Sequence, residues 1–373
     1  MNDIFPVGRP VGADDLVSRE GFINQCVLRL HDGQCVMVAS PRRTGKSSVA
    51  GEVLRRLTAY GHPTATVDLF YVTQLEELAA KLLAAVIETR TGPFRRAVHS
   101  LAGLREALSR VQWGAKIGDL ELAATLDRRQ ADPLDLLETA IDTAEVIGEK
   151  SGQRLILLLD EFQEIDRLGG SLLAKRLRAL FQRQSHTAFL FLGSQSSMMH
   201  TIFADRRQAF YRLATLLPLP AVSDDEWTHY LDARFQSLNL EITPTALGLL
   251  IEKSGGHPYG MMSLAYNCYL LAKTQHVGIV DAERFARAYD LTMESLTPVY
   301  DALWSEIHTI RHGDAVLKSI IDGTPPYQLP LNKATISRAL KGLMDASVIT
   351  KGPGRGHYRL VEPLFGDWVS RQR

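Results

Sequence analysis

Gln34-Cys-Val-Met-Val-Ala39, followed by Ser40-Pro-Arg-Arg-Thr-Gly-Lys-Ser-Ser48, is an apolar run that gives way to a short loop and then to helix-forming sequence. A loop that opens a helix aims successive backbone N–H groups at one point, where the helix dipole also favours negative charge. Lys46 adds a full positive charge, and the Ser47 hydroxyl suits a hard cation such as Mg²⁺. Strand, loop and helix in that order mark the loop that binds the β- and γ-phosphates of a nucleotide. Ser40, Pro41, Arg42, Arg43, Thr44, Gly45, Lys46, Ser47 and Ser48 are therefore the candidate phosphate-binding residues. One position departs from the pattern, because Ser40 stands where glycine is usual and gives up glycine's conformational freedom. The bland alternative is a basic turn before an ordinary helix.

A loop of this kind needs a carboxylate partner, and Arg154-Leu-Ile-Leu-Leu-Leu-Asp160-Glu161 supplies one. An unbroken apolar run reads as a strand buried on both faces, and charges at its carboxyl end lie where parallel sheets place ligands. Asp160 is expected to hold Mg²⁺ through water and Glu161 to polarise the attacking water. Helix capping by the two acids is the competing explanation. Phe189-Leu-Phe-Leu-Gly193-Ser194-Gln195 is a third strand with a polar end. Ser194 and Gln195 are candidates to touch the γ-phosphate or the water, a simple turn being the alternative. Arg206, Arg207 and Arg212 follow on a stretch taken as helical, and Arg212 is the candidate for stabilising the leaving charge, a role that a neighbouring subunit often supplies.

Around these elements the chain reads as α/β over its first 220 residues. Strands are expected at 34–39, 64–70, 154–159, 187–193 and 213–219, giving five parallel core strands. Helices fall at 46–60, 73–89, 133–149 and 171–184, the second with Thr73 and Glu76 in capping-box spacing. Residues 91–131 make an insertion whose Arg95, Arg96, Arg105 and Trp113 are either a contact surface or a solvated face. From 221 to 297 the pattern is purely helical, at 224–235, 243–253, 258–274 and 280–292, as in a small lid. Residues 298–373 read as helices at 299–310, 314–321 and 333–344, then two short strands around a glycine-rich tip: a winged helix. Between Lys333 and Arg359 six bases (Lys333, Arg338, Lys341, Lys351, Arg355 and Arg359) face one acid, Asp345. That is a local positive patch on a chain of net charge zero. It suits phosphate contact with double-stranded DNA, although winged helices also dock proteins.

Composition excludes other classes. A 45% hydrophobic share with 23% charged residues is that of a globular protein. Three scattered cysteines, Cys26, Cys35 and Cys268, form neither a disulfide framework nor a zinc site. No apolar stretch approaches the roughly 20 residues of a membrane helix, and the amino terminus lacks a signal-peptide pattern. A cytoplasmic protein without membrane contact is expected.

Val17-Ser-Arg-Glu20, Pro41-Arg-Arg-Thr-Gly-Lys-Ser47, Val67-Asp-Leu69, Leu158-Leu-Asp-Glu-Phe-Gln163, Gly193-Ser194 and Gly255-Gly-His-Pro-Tyr259, in this order, resemble the archaeal-type ATPase family. That family is grouped with the STAND class, relatives of AAA+ and Orc/Cdc6 proteins. The resemblance covers nearly the whole chain, including Tyr358-Arg-Leu-Val-Glu-Pro-Leu-Phe365 and Trp368. It implies ATP with Mg²⁺, adenine seated near Val17 and Arg19 with Phe22 beside it, and His257 and Pro258 as nucleotide-sensing residues. Glu20 is either part of that seat or a helix-start charge. Asp68 is a cap or a supporting residue at the same rim. Glycine is common where Ser18 stands. The function expected is an ATP-hydrolysing switch whose closed state engages a client, DNA or another copy of the chain. A DNA-binding initiator or loader, and a nucleotide-dependent scaffold with little turnover, are the other classes; Glu161 argues against the scaffold.

Overall fold

The computed structural model describes residues 4–89 and 132–372 apart from 353 and 355, with two short paired stretches at 114–115 and 122–123. Arg95, Arg96, Arg105, Trp113 and Arg355 lie outside the described residues. Five strands, β1 (Val36–Ala39), β2 (Thr64–Asp68), β3 (Leu155–Asp160), β4 (Thr187–Gly193) and β5 (Thr215–Pro218), form one parallel sheet in the order β2-β3-β4-β1-β5. All five were expected from their apolar runs. Alternation within those runs sorts the side chains by face. Val36, Val38, Ile156, Leu158, Leu190 and Leu192 meet α1 (Glu20–His31) and α2 (Lys46–Ala59). Met37, Leu157, Leu159, Phe189 and Phe191 meet α3 (Leu75–Glu88), α4 (Pro133–Ser151), α5 (Ile165–Gln182) and α6 (Ser196–Ala204) on the other face.

Register decides where the site lies. Ala39 pairs with Gly193 and Asp68 with Asp160, so Ser40, Asp160 and Ser194 leave the sheet along one rim. Arg212 does not. It precedes β5, whose first residue Thr215 pairs with Val36 at the start of β1, so Arg212 sits at the opposite end of the sheet. The stretch 205–214 is also a series of turns rather than the expected helix. Arg178 of α5 holds it by donating to the carbonyls of Ala209 and Tyr211, and Asp205 engages Arg207 at 2.7 Å.

Local signals set the helix ends, with two corrections. Helix α3 starts at Leu75 with no side-chain cap, and the carboxylate that reaches back to the Thr73 N–H is Glu77 at 3.0 Å, not Glu76. In α5 the backbone breaks at Gly170 (φ 55°, ψ −146°), so one extra turn precedes the expected start at 171.

The remainder is built on α7 (Asp224–Ser237), α8 (Pro244–Ser254), α9 (Pro258–Thr274), α10 (Ala282–Thr309), α11 (Gly313–Ile321), α12 (Lys333–Asp345) and α13 (Pro363–Arg371). A parallel pair, β6 (Glu241–Ile242) with β7 (Ile279–Val280), and an antiparallel pair, β8 (Ile349–Lys351) with β9 (Tyr358–Leu360), complete it. The helices expected at 280–292 and 299–310 are one 28-residue helix that runs through Pro298 and across the expected boundary at 297. Proline ends an isolated helix because it removes an N–H and crowds the carbonyl four residues back. Here the Thr297 hydroxyl donates to the Met293 carbonyl at 2.9 Å, and buried Tyr300 is fixed against Phe365, ring centroids 5.2 Å apart. Tertiary packing outweighs the local penalty. A single apolar core then extends from Val222 to Val369 and also takes in Phe5 and Val17 of the amino-terminal segment.

Candidate nucleotide site

The loop between β1 and α2 has the backbone its glycine pattern demands. Gly45 is left-handed at φ 88°, and so is Arg43 at φ 63°. Ser40 is not in that region, so glycine is not required there. Instead its hydroxyl meets the Thr44 hydroxyl at 2.7 Å, and Thr44 donates to the Pro41 carbonyl at 2.8 Å. The departure from glycine thus closes the loop on itself. Lys46, the first residue of α2, is 6% exposed although charged, which is tolerable only where opposite charge is at hand.

That opposite charge comes from the β3 end. The Ser47 hydroxyl donates to Asp160 Oδ2 at 3.3 Å across 113 residues of sequence. Burial raises the Asp160 carboxyl, while the neighbouring Lys46 charge pulls it back down. Glu161 follows in a left-handed conformation (φ 51°), which turns its side chain toward β4. Its Oε2 accepts from Ser194 Oγ at 2.7 Å, Ser194 N at 3.0 Å and Gln163 Nε2 at 2.5 Å. Burial opposes ionisation of Glu161, but the Gln163 and Ser194 donors together with Lys46 outweigh it and leave the carboxyl below its ordinary range. At the end of β4, Ser194 meets Glu161 through both its N–H and its hydroxyl. Asp68 accepts from its neighbour Phe70 N at 2.8 Å and serves as a turn cap.

Beside the loop a cavity of about 390 Å³ opens between the sheet rim and the helical remainder. Gly45, Lys46, Ser47 and Ser48 form its floor, with Val17, Arg19 and Arg43 at the side and Pro258 above. Arg19 is bent into the left-handed region (φ 73°) so that Nη1 donates to the Thr44 carbonyl at 2.9 Å. Burial lowers its pKa to about 10 against the pull of Glu226, so it stays charged near neutrality. Glu226 also accepts from Ser18 Oγ, which explains a serine at that position. Sequence reasoning missed the wall made by Pro6, Gly8, Arg9, Pro10 and Val11, as well as Trp227, Tyr259 and Met262. The Val11 N–H donates to Ser48 Oγ at 3.1 Å, drawing this extended segment across the mouth. Its only signal was a Pro/Gly-rich composition. Phe22 packs with the α1 and α2 core instead, and Glu20 pairs with Arg56 at 2.5 Å, so neither reaches the cavity.

His257, which precedes α9, does not line the cavity. It lies 6% exposed under the loop, its ring hydrogen-bonded to the Arg42 backbone and its Nε2 without a partner. Burial depresses its pKa, so the imidazole is neutral. Arg43 stacks on Tyr259, 4.4 Å to the ring centroid, and its Nη1 lies 3.4 Å from Glu362 Oε1. The chemistry of the donor set fits a small divalent cation. Ser47 and Asp160 are adjacent oxygen donors, and no cluster of three His, Cys, Asp or Glu ligands exists among the described residues. Such a cation would need phosphate oxygens and water to complete its shell, as Mg²⁺ usually does.

Comparison with solved structures decides the fold. The Walker-type ATPase of Pyrococcus abyssi superposes with TM-score 0.72 over 99% of this chain and 100% of that one, at 18% identity. The chain shares that fold. The Aeropyrum pernix ORC2 protein, solved in ADPNP–ADP complexes, gives TM-score 0.60 at 16% identity over 99% of this chain and 96% of its own. The Aeropyrum pernix ORC1 protein in complex with DNA gives 0.50 at 16% identity, over 96% and 95%. No family model matches the sequence, and no curated protein does.

Of the sequence candidates, Val17, Arg19, Arg43, Gly45, Lys46, Ser47, Ser48 and Pro258 share the cavity, while Asp160, Glu161 and Ser194 form the adjoining carboxylate cluster. Lys333, Arg338, Lys341, Lys351 and Arg359 are exposed on α12, β8 and β9, away from it. The far end of α12 touches the α/β part, where Ser197 Oγ donates to Asp345 at 2.7 Å.

Proposed function

We propose that the chain is an ATPase switch that binds Mg-ATP in this cavity and hydrolyses it with Glu161 as general base. The observation that carries this is the meeting of two remote sequence elements, Ser47 with Asp160 and Ser194 with Glu161, beside the buried Lys46. The backbone N–H groups of 43–48 and the Lys46 ammonium hold the phosphates. Val17, Trp227 and Met262 exclude water from the base end. Ser47 and Asp160 would hold Mg²⁺, which when bound offsets the charge that develops on the phosphate oxygens. Glu161 orients water and takes its proton, while the β–γ bond electrons leave with ADP. A role for Arg212 would have to come from a second copy, because its own site is at the other end of the sheet. The three cysteines form no disulfide, which fits a cytoplasmic setting, and no described helix is long and apolar enough to cross a membrane.

Calorimetric titration with Mg-ATP tests the reading. Lys46→Ala should abolish binding, whereas Glu161→Gln should keep it and slow turnover by roughly 10²–10⁴-fold. Equal loss of binding in both would overturn the roles given to them.

A second reading, a DNA-engaging ATPase, draws support from the exposed Lys333, Arg338, Lys341, Lys351 and Arg359 on α12, β8 and β9, and from the fold likeness to a protein solved with DNA. Here β8 and β9 would form the wing and α12 the recognition helix. Binding to duplex DNA that weakens with salt and falls in Arg338→Ala/Lys341→Ala, but survives Lys46→Ala, would favour this reading. Binding unaffected by the double substitution would sink it.

A further inference from the structure

Gln163 has no part in the scheme above, yet it is one of the few polar side chains almost wholly buried, at 2% exposure. It lies two residues past Glu161 in the 3₁₀ turn Phe162–Glu164, and its amide points back at Glu161 Oε2 over 2.5 Å. We propose that Gln163 is a positioning residue for hydrolysis: together with Ser194 it anchors Glu161 by Oε2, leaving Oε1 as the oxygen that accepts the proton from water.

Three donors converge on Oε2, namely the Gln163 amide and the N–H and hydroxyl of Ser194. An oxygen so occupied has no lone pair to spare, so the reacting oxygen must be the other one. The same donors favour the ionised carboxylate, which a base must be before it acts. The amide is held with its NH₂ inward, because a carboxylate can only accept, and this leaves Gln163 Oε1 buried and without a partner. An orphaned buried carbonyl is costly, and the donation to Glu161 holds the amide in place against that cost. Gly193 fits the same device. A Cβ added there would stand 2.7 Å from Gln163 Oε1 and 2.3 Å from Met199 Cγ, so glycine keeps the space that the amide uses. Gly193, Ser194 and Gln163 thus act on one oxygen.

The inference rests on Glu161 being the base, and the experiment separates the two. ATP turnover, Mg-ATP affinity and melting temperature are measured on the full chain for Glu161→Gln, Gln163→Leu and Gln163→Glu. For Gln163→Leu, kcat should fall roughly 10²-fold from misplacement of the base, while KM and Kd stay within about twofold. Gln163→Glu is nearly isosteric and sets a second carboxylate against Glu161. A carboxylate at 163 has no hydrogen to give Oε2, so kcat in this variant should also fall roughly 10²-fold near about pH 8, its matching shape notwithstanding. Wild-type kcat in Gln163→Leu, or in Gln163→Glu near about pH 8, overturns the inference while Glu161→Gln remains inactive. Full turnover in Glu161→Gln would instead remove the base and Gln163's role with it.

Discussion

Ser40 and Gly45 fix the phosphate loop by opposite means, a side chain at one and the lack of one at the other. The Ser40–Thr44 hydroxyl contact braces the loop in the shape that a phosphate needs, so Ser40→Ala should weaken Mg-ATP binding by about fivefold, the worth of one hydrogen bond near 1 kcal/mol. Calorimetry with Ser40→Ala and Ser40→Gly checks this, and unchanged affinity in both would show that the brace is idle. At Gly45 the left-handed backbone and the 2.9 Å approach of a Cβ to Arg19 Nη1 leave no room for a side chain. Gly45→Ala should cost about 1–2 kcal/mol in backbone strain alone, and should lower affinity more than tenfold by pushing Arg19 off the Thr44 carbonyl. The loop, Asp160, Glu161 and Ser194 were legible in the sequence because each ends an apolar strand, and parallel strands gather such ends on one rim. The left-handed turns of Arg19, Arg43 and Glu161 were not, since nothing in a non-glycine residue type announces a positive φ. Those turns aim the side chains. Gln163 was likewise hidden, because its role depends on a partner oxygen whose direction the backbone alone decides.

Elements were read correctly wherever local signals and packing agreed, as in α9, which starts at Pro258 and ends at Thr274 as expected. They were misread where packing overrode a local signal, as at Pro298 inside α10. Gly255, which closes α8 at φ 54°, joins the local and the tertiary view. A Cβ there would meet Pro363 Cγ at 2.6 Å, and a proline ring cannot swing aside. Gly255→Ala combines left-handed strain with overpacking at the start of α13, so the melting temperature should drop by about 5–10 °C. Scanning calorimetry reads it, and a drop of less than about 2 °C would mean that α13 shifts freely. His257, just past that turn, gives a pH dependence. Its folded pKa is depressed by burial, with Glu362 opposing and Arg43 assisting, so below the unfolded value near 6.5 the unfolded chain binds a proton that the folded chain refuses. Stability therefore falls as pH drops through and below that value. His62, also depressed by burial, contributes in the same direction. Urea titrations from about pH 7 to about pH 5 should show the loss, and His257→Gln should remove part of it; an identical slope in the variant would assign the effect to other groups.

At the scale of the molecule, the phosphate loop is joined to residues more than two hundred positions away. Arg43 lies in the loop, lines the cavity, stacks on Tyr259 of α9 and approaches Glu362 at the start of α13. Glu362 in turn lies 3.5 Å from the Tyr300 hydroxyl of α10. A half-exposed ion pair of this length stabilises a fold by only about 0–1 kcal/mol. Its consequence is therefore felt in ligand binding, because one guanidinium cannot serve Glu362 and a phosphate fully at once. Neutralising the acid should release Arg43 toward the phosphates. Glu362→Gln is expected to tighten Mg-ATP binding about threefold with little change in melting temperature, although residue 362 does not line the cavity. In an Arg43→Ala background the same substitution should have no effect on affinity, so the double-mutant cycle isolates the pair. An equal gain in both backgrounds would place the effect on Tyr300 or on α13 itself, and no gain in either would mean that Arg43 stays on Tyr259 whatever its partner. If the cycle closes as expected, the loop reports phosphate to α13 through a contact that the folded chain hardly depends on for stability, which is what lets it change hands.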